Sequence, residues 1–113
     1  MKPLALLSAI TLSACAGSSL RNGCMVDALK ARHELEAAAL QPRIILTIHP
    51  GHAFVVWMDR GNVWGYDASQ GSRIFSQDPA VLENPRACAA RFLPFPVQSA
   101  HFEPSFDSRA ALP

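Results

Sequence analysis

The period of the apolar residues changes once along this chain, at Pro42, and that change constrains the fold more than any other feature. From Cys24 to Leu40 the residues are strong helix formers, with an apolar stripe at a spacing near 3.6. After Pro42 the residues are β-branched and aromatic, in short runs interrupted by turn-forming residues. We therefore predict an α+β domain in which one helix packs on a small antiparallel sheet.

The boundaries of these elements follow from local signals. Asn22 is a suitable N-cap for the helix and Pro42 closes it, while the tetrapeptide from Asp59 to Asn62 is turn-forming and favours a hairpin. The predicted elements are a helix over 24–40, strands over 43–49, 52–58, 63–67 and 72–75, a short helix within 79–91 that Pro85 interrupts, and a last strand within 92–102.

Residues 1–14 are typical of a secretory signal peptide. Lys2 supplies one positive charge, and the apolar stretch over 4–12 that follows is too short to cross a bilayer. Its end, Leu12-Ser13-Ala14-Cys15, resembles the lipobox of bacterial lipoproteins. That resemblance implies cleavage before Cys15, a diacylglycerol with fatty acids such as palmitate on its thiol, and anchoring in the bacterial cell envelope. By the same resemblance, Ala16 after the modified cysteine implies the outer membrane, facing the periplasm, as the destination. The alternative is an ordinary secreted protein with a free Cys15 thiol.

Removal of the signal peptide leaves about a hundred of the 113 residues, enough for one domain. The predicted organisation is a signal peptide over 1–14, a lipidated N-terminus and tether over 15–22, a folded domain over 23–102 and a flexible tail over 103–113. The formal net charge of the whole chain is +1, and no run of like charges occurs. We therefore expect no nucleic-acid partner and predict contact with the membrane only through the lipid on Cys15.

Three residues have side chains suited to nucleophilic catalysis. Cys24 lies in the first turn of the predicted helix, where the helix dipole and free backbone N–H groups favour a thiolate. His52 opens a strand and Asp67 ends its partner strand. A nucleophilic thiol needs a base to take its proton and a third group to orient that base. Cys24, His52 and Asp67 are therefore the candidate catalytic residues.

Whether His52 and Asp67 meet depends on the hairpin turn. A turn at Arg60-Gly61, or a loop of the whole tetrapeptide, places His52 diagonal to Asp67 on one face of the sheet. A turn at Gly61-Asn62 instead separates the two side chains. The sequence leaves both registers open.

The candidate residues resemble the transglutaminase-like branch of the papain-like cysteine peptidase superfamily. Its core carries a Gly and the nucleophilic Cys at a helix start, then a His-Ala strand, then a Trp and an Asp. The matching residues here are Asn22-Gly23-Cys24 with Ala28 and Leu29, Gly51-His52-Ala53, Trp64 and Asp67-Ala68. The resemblance covers roughly Gly23 to Gly71. The double-glycine peptidases share the Gly-His strand and a downstream Asp, but usually have a longer gap between Cys and His.

The resemblance implies a papain-like core and an acyl-transfer site acting on a peptide or protein amide substrate, without a cofactor. The expected products are those of a cysteine peptidase, an amidase or a transglutaminase-like enzyme. Trp64 is also a candidate for the wall of an acyl pocket beside the site, although a core or sheet-surface aromatic is the simpler interpretation. The family usually has helices before the nucleophile that help to build the oxyanion hole. Here the backbone N–H of Cys24 is the candidate donor.

Two other interpretations of the same residues remain open. A Cys24–Cys88 disulfide suits an oxidising compartment, would stabilise a small domain by about 2–4 kcal/mol, and would indicate a non-catalytic envelope lipoprotein or binding module. His49 and His52 with Cys24 form a weak metal-binding pattern because a turn separates the histidines. We expect no metal.

Overall fold

The structure is a computed structural model that describes residues 23–104. The signal peptide, Cys15, Asn22 and the tail over 105–113 lie outside the described residues. The elements in chain order are α1 (Gly23–Ala37), β1 (Arg43–Ile48), β2 (His52–Asp59), β3 (Asn62–Asp67), β4 (Gly71–Ser76), a 3₁₀ helix (Pro79–Glu83), α2 (Pro85–Phe92) and β5 (Ser99–Phe102). Within residues 23–104, no helix is long and apolar enough to cross a membrane.

Helix α1 ends at Ala37, earlier than the predicted Leu40. Ala39 adopts the left-handed conformation, with φ of 67°, and the N–H of Leu40 donates to the carbonyl of Leu35 at 3.0 Å. Backbone hydrogen bonds of this kind close a helix on their own. The helix therefore ends before the chain reaches Pro42.

The five strands form one antiparallel sheet in the order β4-β3-β2-β1-β5. The first four strands are sequential neighbours, joined by tight turns. β5 returns to pair with β1 at the opposite edge from β4, and the N–H of Glu103 still donates to the carbonyl of Ile44 at 2.8 Å. Backbone pairing therefore extends one residue into the range predicted as tail.

A helix covers each face of the sheet, whereas the sequence predicted one central helix packed on the sheet and gave the short helix within 79–91 no position against it. Ala53, Val55 and Trp57 of β2 pack with α1, on what we call the α1 face. Phe54 and Val56 pack with α2, on the α2 face. Because successive strand side chains point to opposite faces, a strand that is apolar at every position needs cover on both. The α+β class is confirmed.

Gly65 allows α2 to approach β3 closely. A Cβ atom at Gly65 would lie 2.5 Å from Cδ1 of Phe92, the last residue of α2. The Phe92 ring also stacks on Phe54 with centroids 5.2 Å apart. Phe92 is thus buried against the middle of the sheet through a gap that only glycine leaves.

The predicted strand character within 92–97 is not formed. Phe92 completes α2, and the last strand begins only at Ser99. Pro94 and Pro96 have no backbone N–H to donate to a sheet ladder. The segment from Leu93 to Gln98 is therefore a loop.

Candidate functional site

The hairpin turn that decides the site is formed by Arg60 and Gly61. Both have positive φ, 56° and 80°, as a type I′ turn requires. Asp59 pairs with Asn62 and Val55 with Tyr66, so Phe54 follows opposite Asp67. Of the registers that the sequence left open, the structure forms one that brings His52 and Asp67 together.

His52 and Asp67 form a direct hydrogen bond. The distance from His52 Nε2 to Asp67 Oδ2 is 2.8 Å, and the exposed fractions of the two side chains are 12% and 1%. Because Nε2 is bonded to the carboxylate, Nδ1 is the ring nitrogen that remains available to accept a proton from another group. A neutral ring that donates through Nε2 presents a lone pair on Nδ1.

The β3–β4 turn fixes the Asp67 carboxylate. Its Oδ1 accepts from the Gln70 backbone N–H at 2.7 Å and from the Ser69 hydroxyl at 3.1 Å. Burial alone would raise the pKa of Asp67, but hydrogen bonds from His52, Gln70 and Ser69, together with the charge of His52, outweigh burial and hold the pKa below its ordinary value. Asp67 is therefore a fixed anion facing the imidazole.

Residues near α2 complete this arrangement. Gln70 Nε2 donates to the Phe92 carbonyl at 3.0 Å, and Arg73 Nε donates to Gln70 Oε1 at 3.1 Å. Phe95, in the loop after α2, contacts the His52 ring edge to face at 5.7 Å between centroids. Sequence reasoning did not identify Gln70, Arg73 or Phe95. The position of Gln70 in the turn after Asp67 was a usable signal, whereas nothing local pointed to Phe95.

The β1–β2 turn sets the start of β2. Thr47 lies opposite His52 in the ladder, is 5% exposed, and donates its hydroxyl to the Pro50 carbonyl at 2.8 Å. This bond ties the Pro50-Gly51 turn to β1. The neighbour of His52 on β1 is thus a buried threonine, which sequence reasoning also missed.

A cavity of about 480 Å³ joins Cys24 to His52. We call it the Cys24 cavity. Its lining residues are Cys24, Met25, Leu46, Thr47, Ile48, Gly51, His52, Ala53 and His101. The cavity lies where the first turn of α1 meets the β1–β2 turn, at one end of the sheet.

Cys24 and His52 approach this cavity from different faces of the sheet. Cys24 packs against the core of the α1 face, whereas His52 shares the α2 face with Phe54 and contacts Phe95. Within the described residues, no hydrogen bond joins the thiol to the imidazole. The structure assembles the His52–Asp67 pair and places Cys24 on the same cavity, without a bonded triad.

Trp64 lies away from the Cys24 cavity. It stacks on Trp57, with ring centroids 6.1 Å apart and an interplanar angle of 9°, and packs against the core of the α1 face. The structure therefore places Trp64, partly buried, against the core of the α1 face and not in the wall of this cavity.

Cys88 is on the α2 face and does not pair with Cys24. Both thiols are free, and Cys88 Sγ donates to the Val81 carbonyl at 3.1 Å. Burial raises the pKa of Cys88 to about 11, against a smaller lowering by the charges of Arg91 and Arg43. The sheet separates the two cysteines, so the predicted alternative of a Cys24–Cys88 disulfide is wrong for this structure.

In the described part of the chain, no three His, Cys, Asp or Glu side chains come together as a metal site. Cys15 lies outside residues 23–104. Searches against protein-family models, curated proteins and solved structures found no match.

Proposed function

We propose that this chain is an acyl-transfer enzyme in which Cys24 is the nucleophile, His52 the base and Asp67 the group that orients the base. The observation that carries the proposal is the 2.8 Å bond between His52 and a buried Asp67, at a cavity that a free Cys24 thiol also lines. A buried carboxylate that fixes one imidazole nitrogen and leaves the other available is the arrangement that base catalysis needs.

The proposed reaction uses the two nitrogens of His52 differently. Asp67 accepts from Nε2, so Nδ1 takes the proton of Cys24 as sulfur attacks an ester or amide carbonyl. The bond to the leaving group then breaks, and the leaving group receives that proton. Water or an amine attacks the thioester, releases the acyl product and restores the thiol. Hydrolysis and transamidation differ only in this last acceptor.

The N-terminus of α1 is the proposed oxyanion site. The first N–H groups of a helix have no partner within the helix, and Cys24 lies in that first turn. Donors of this kind stabilise the charge that develops on a carbonyl oxygen when sulfur attacks it. The Cys24 N–H is thus the proposed donor.

The proposal requires the thiol and Nδ1 to approach each other within the Cys24 cavity when substrate binds. Catalytic hydrogen bonds are often long in substrate-free enzymes and tighten in the complex. The lack of a thiol–imidazole bond within residues 23–104 favours one competing function, a non-catalytic binding module of the envelope. The experiment below separates the two.

The place of action is part of the proposal. The Leu12-Ser13-Ala14-Cys15 motif supports a lipid anchor on Cys15 in the bacterial envelope, facing the periplasm. Cys24 follows Cys15 closely, and a tether of this length spans at most roughly 30 Å when fully extended. We therefore propose that the substrate is a peptide or protein amide of the envelope that reaches the site near the membrane surface.

The test is trapping of a thioester with p-nitrophenyl acetate. We expect a burst of p-nitrophenol and a mass increase of one acetyl group, mapped to the peptide that contains Cys24. Cys24→Ala should abolish both, and Cys88→Ala, which changes a buried thiol on the other face, should leave both unchanged. Acetylation that is absent from the wild type, or turnover that survives in Cys24→Ala, would show that the chain is not this enzyme.

A further inference from the structure

The Cys24 cavity has an apolar wall. Met25, Leu46, Ile48 and Ala53 line it, together with the Cys24 thiol. None of the lining residues in the described chain is Lys, Arg, Asp or Glu. A charged group bound there would lose water without gaining an ionic partner, which is costly.

Two of the polar side chains that line the cavity already have hydrogen-bond partners. Thr47 donates its hydroxyl to the Pro50 carbonyl at 2.8 Å, and His52 Nε2 is bonded to Asp67. His101 is exposed on the edge strand β5, opposite Leu46 in the ladder. The wall next to Cys24 therefore offers contact area to a bound group more than it offers hydrogen bonds.

Ile48 adds an exposed apolar surface to this wall. Its exposed fraction is 43%, which makes it one of the large apolar residues that the fold leaves in solvent. Ile74 is exposed to the same extent, 43%, but lies on β4 at the other edge of the sheet. Covering Ile48 removes apolar surface from water, and a group bound at Cys24 is placed to do so.

We propose that the acyl group accepted by Cys24 is aliphatic, with its chain lying along Met25, Leu46 and Ile48. The proposal rests on the acyl-transfer function and specifies its substrate: an ester or amide whose acyl part carries an aliphatic chain. Cys24 forms the C–S bond as the C–O or C–N bond breaks, and the leaving group takes the thiol proton. Water then hydrolyses the thioester to an aliphatic carboxylic acid and the free thiol.

The first test compares p-nitrophenyl acetate with the hexanoate on the full chain, each rate divided by that with free cysteine. Full burial of one methylene group raises an affinity or rate constant about fourfold. Partial burial of the added methylenes therefore predicts that kcat/KM is about tenfold higher for the hexanoate. Acetyl-leucine and acetyl-glutamate p-nitrophenyl esters form a second arm. It shows whether the preferred aliphatic group is an alkanoyl chain or a side chain of a peptide.

Ile48→Ser is the decisive variant and Ile74→Ser its matched control. Both remove the same side chain from a surface position of equal exposure. Ile48→Ser should lower the hexanoate-to-acetate ratio about threefold or more, and Ile74→Ser should leave the ratio unchanged. Equal normalised rates for the two esters, or the same loss in both variants, would overturn the aliphatic proposal while Cys24-dependent turnover still stood.

Labelling of the Cys24 thiol with maleimides tests the same apolar wall without enzymatic turnover. N-hexylmaleimide should modify the Cys24 peptide faster than N-methylmaleimide, relative to free cysteine, and Ile48→Ser should reduce this advantage. Loss of ester turnover with this advantage retained would refute the acyl-transfer function and support the aliphatic site. An equal rate with the two maleimides would refute the aliphatic site.

Discussion

Asp67→Asn isolates the His52–Asp67 pair, because asparagine keeps the shape of the side chain and removes its charge. The native carboxylate accepts hydrogen bonds at 2.8 Å from His52, 2.7 Å from Gln70 and 3.1 Å from Ser69. Asparagine has one acceptor oxygen and one NH₂ group. If its oxygen keeps the bonds from Gln70 and Ser69, its NH₂ group faces His52. The ring must then accept through Nε2 and carry its proton on Nδ1.

The loss of stability follows from the kind of bond that is changed. Hydrogen bonds to charged groups contribute about 1.5–3 kcal/mol each and neutral bonds about 0.5–1.5 kcal/mol. The variant turns three charge-assisted bonds into weaker neutral ones. At about 1–1.5 kcal/mol per bond, the three changes together cost about 3–4.5 kcal/mol. The neutral amide avoids the burial penalty of the carboxylate, which offsets part of this cost. We therefore expect the free energy of unfolding at pH 7 to fall by about 2–3 kcal/mol.

The same change has a defined dependence on pH. The pKa of folded Asp67 lies below its ordinary value of 3.8, so its stabilising effect is complete above the unfolded pKa and is lost as pH falls through the folded pKa. The asparagine side chain of the variant does not titrate. The stability difference between the wild type and Asp67→Asn should therefore narrow as pH falls below about pH 4.

In the proposed acyl transfer, the activation free energy should rise by more than the free energy of unfolding falls. With the proton on Nδ1, His52 has no lone pair for the Cys24 thiol, and the equivalent tautomer change in a serine protease triad costs about 10⁴ in kcat. Urea unfolding at a series of pH values measures the loss of stability, and acetylation of Cys24 measures the loss of acyl transfer. Asp59→Asn, the same substitution at the turn end of the β2–β3 hairpin, is the control. An Asp67→Asn variant with native stability and native acetylation would refute the orienting role of Asp67.

Three further predictions concern the surrounding fold. Gly65→Ala should destabilise by about 1–3 kcal/mol because its Cβ meets the Phe92 ring at 2.5 Å, and Phe92→Leu should relieve part of that cost in a double-mutant cycle of urea unfolding. A coupling energy of zero between the two substitutions would contradict this steric explanation. Because the pKa of Cys88 is raised from 9.0 to about 11, wild-type stability should decline between those pH values, by up to about 2–3 kcal/mol, and Cys88→Ala should lack this part of the decline. A parallel decline of stability in the wild type and Cys88→Ala would refute the raised pKa of Cys88 as its cause. Arg60→Asn should raise the melting temperature by easing the positive φ of 56°, and an unchanged or lower value would count against the type I′ turn.

The sequence alone determined the local features of this protein. Helix propensity and turn residues fixed a helix before Pro42 and a hairpin after it, which the structure confirms. They also placed Cys24 at a helix start, His52 at a strand start and Asp67 at a strand end. These features depend on a few neighbouring residues, so a single sequence is enough to predict them.

Only the tertiary structure decided which of these residues meet. The register formed by the Arg60–Gly61 turn brings His52 next to Asp67. Because β2 is apolar on both sides, α2 packs on the face that α1 leaves uncovered. The sheet then separated Cys88 from Cys24, which removed the disulfide alternative. Register and layer depend on contacts between residues far apart in sequence. A local pattern permits several such arrangements, and the burial of both faces of the sheet selects one.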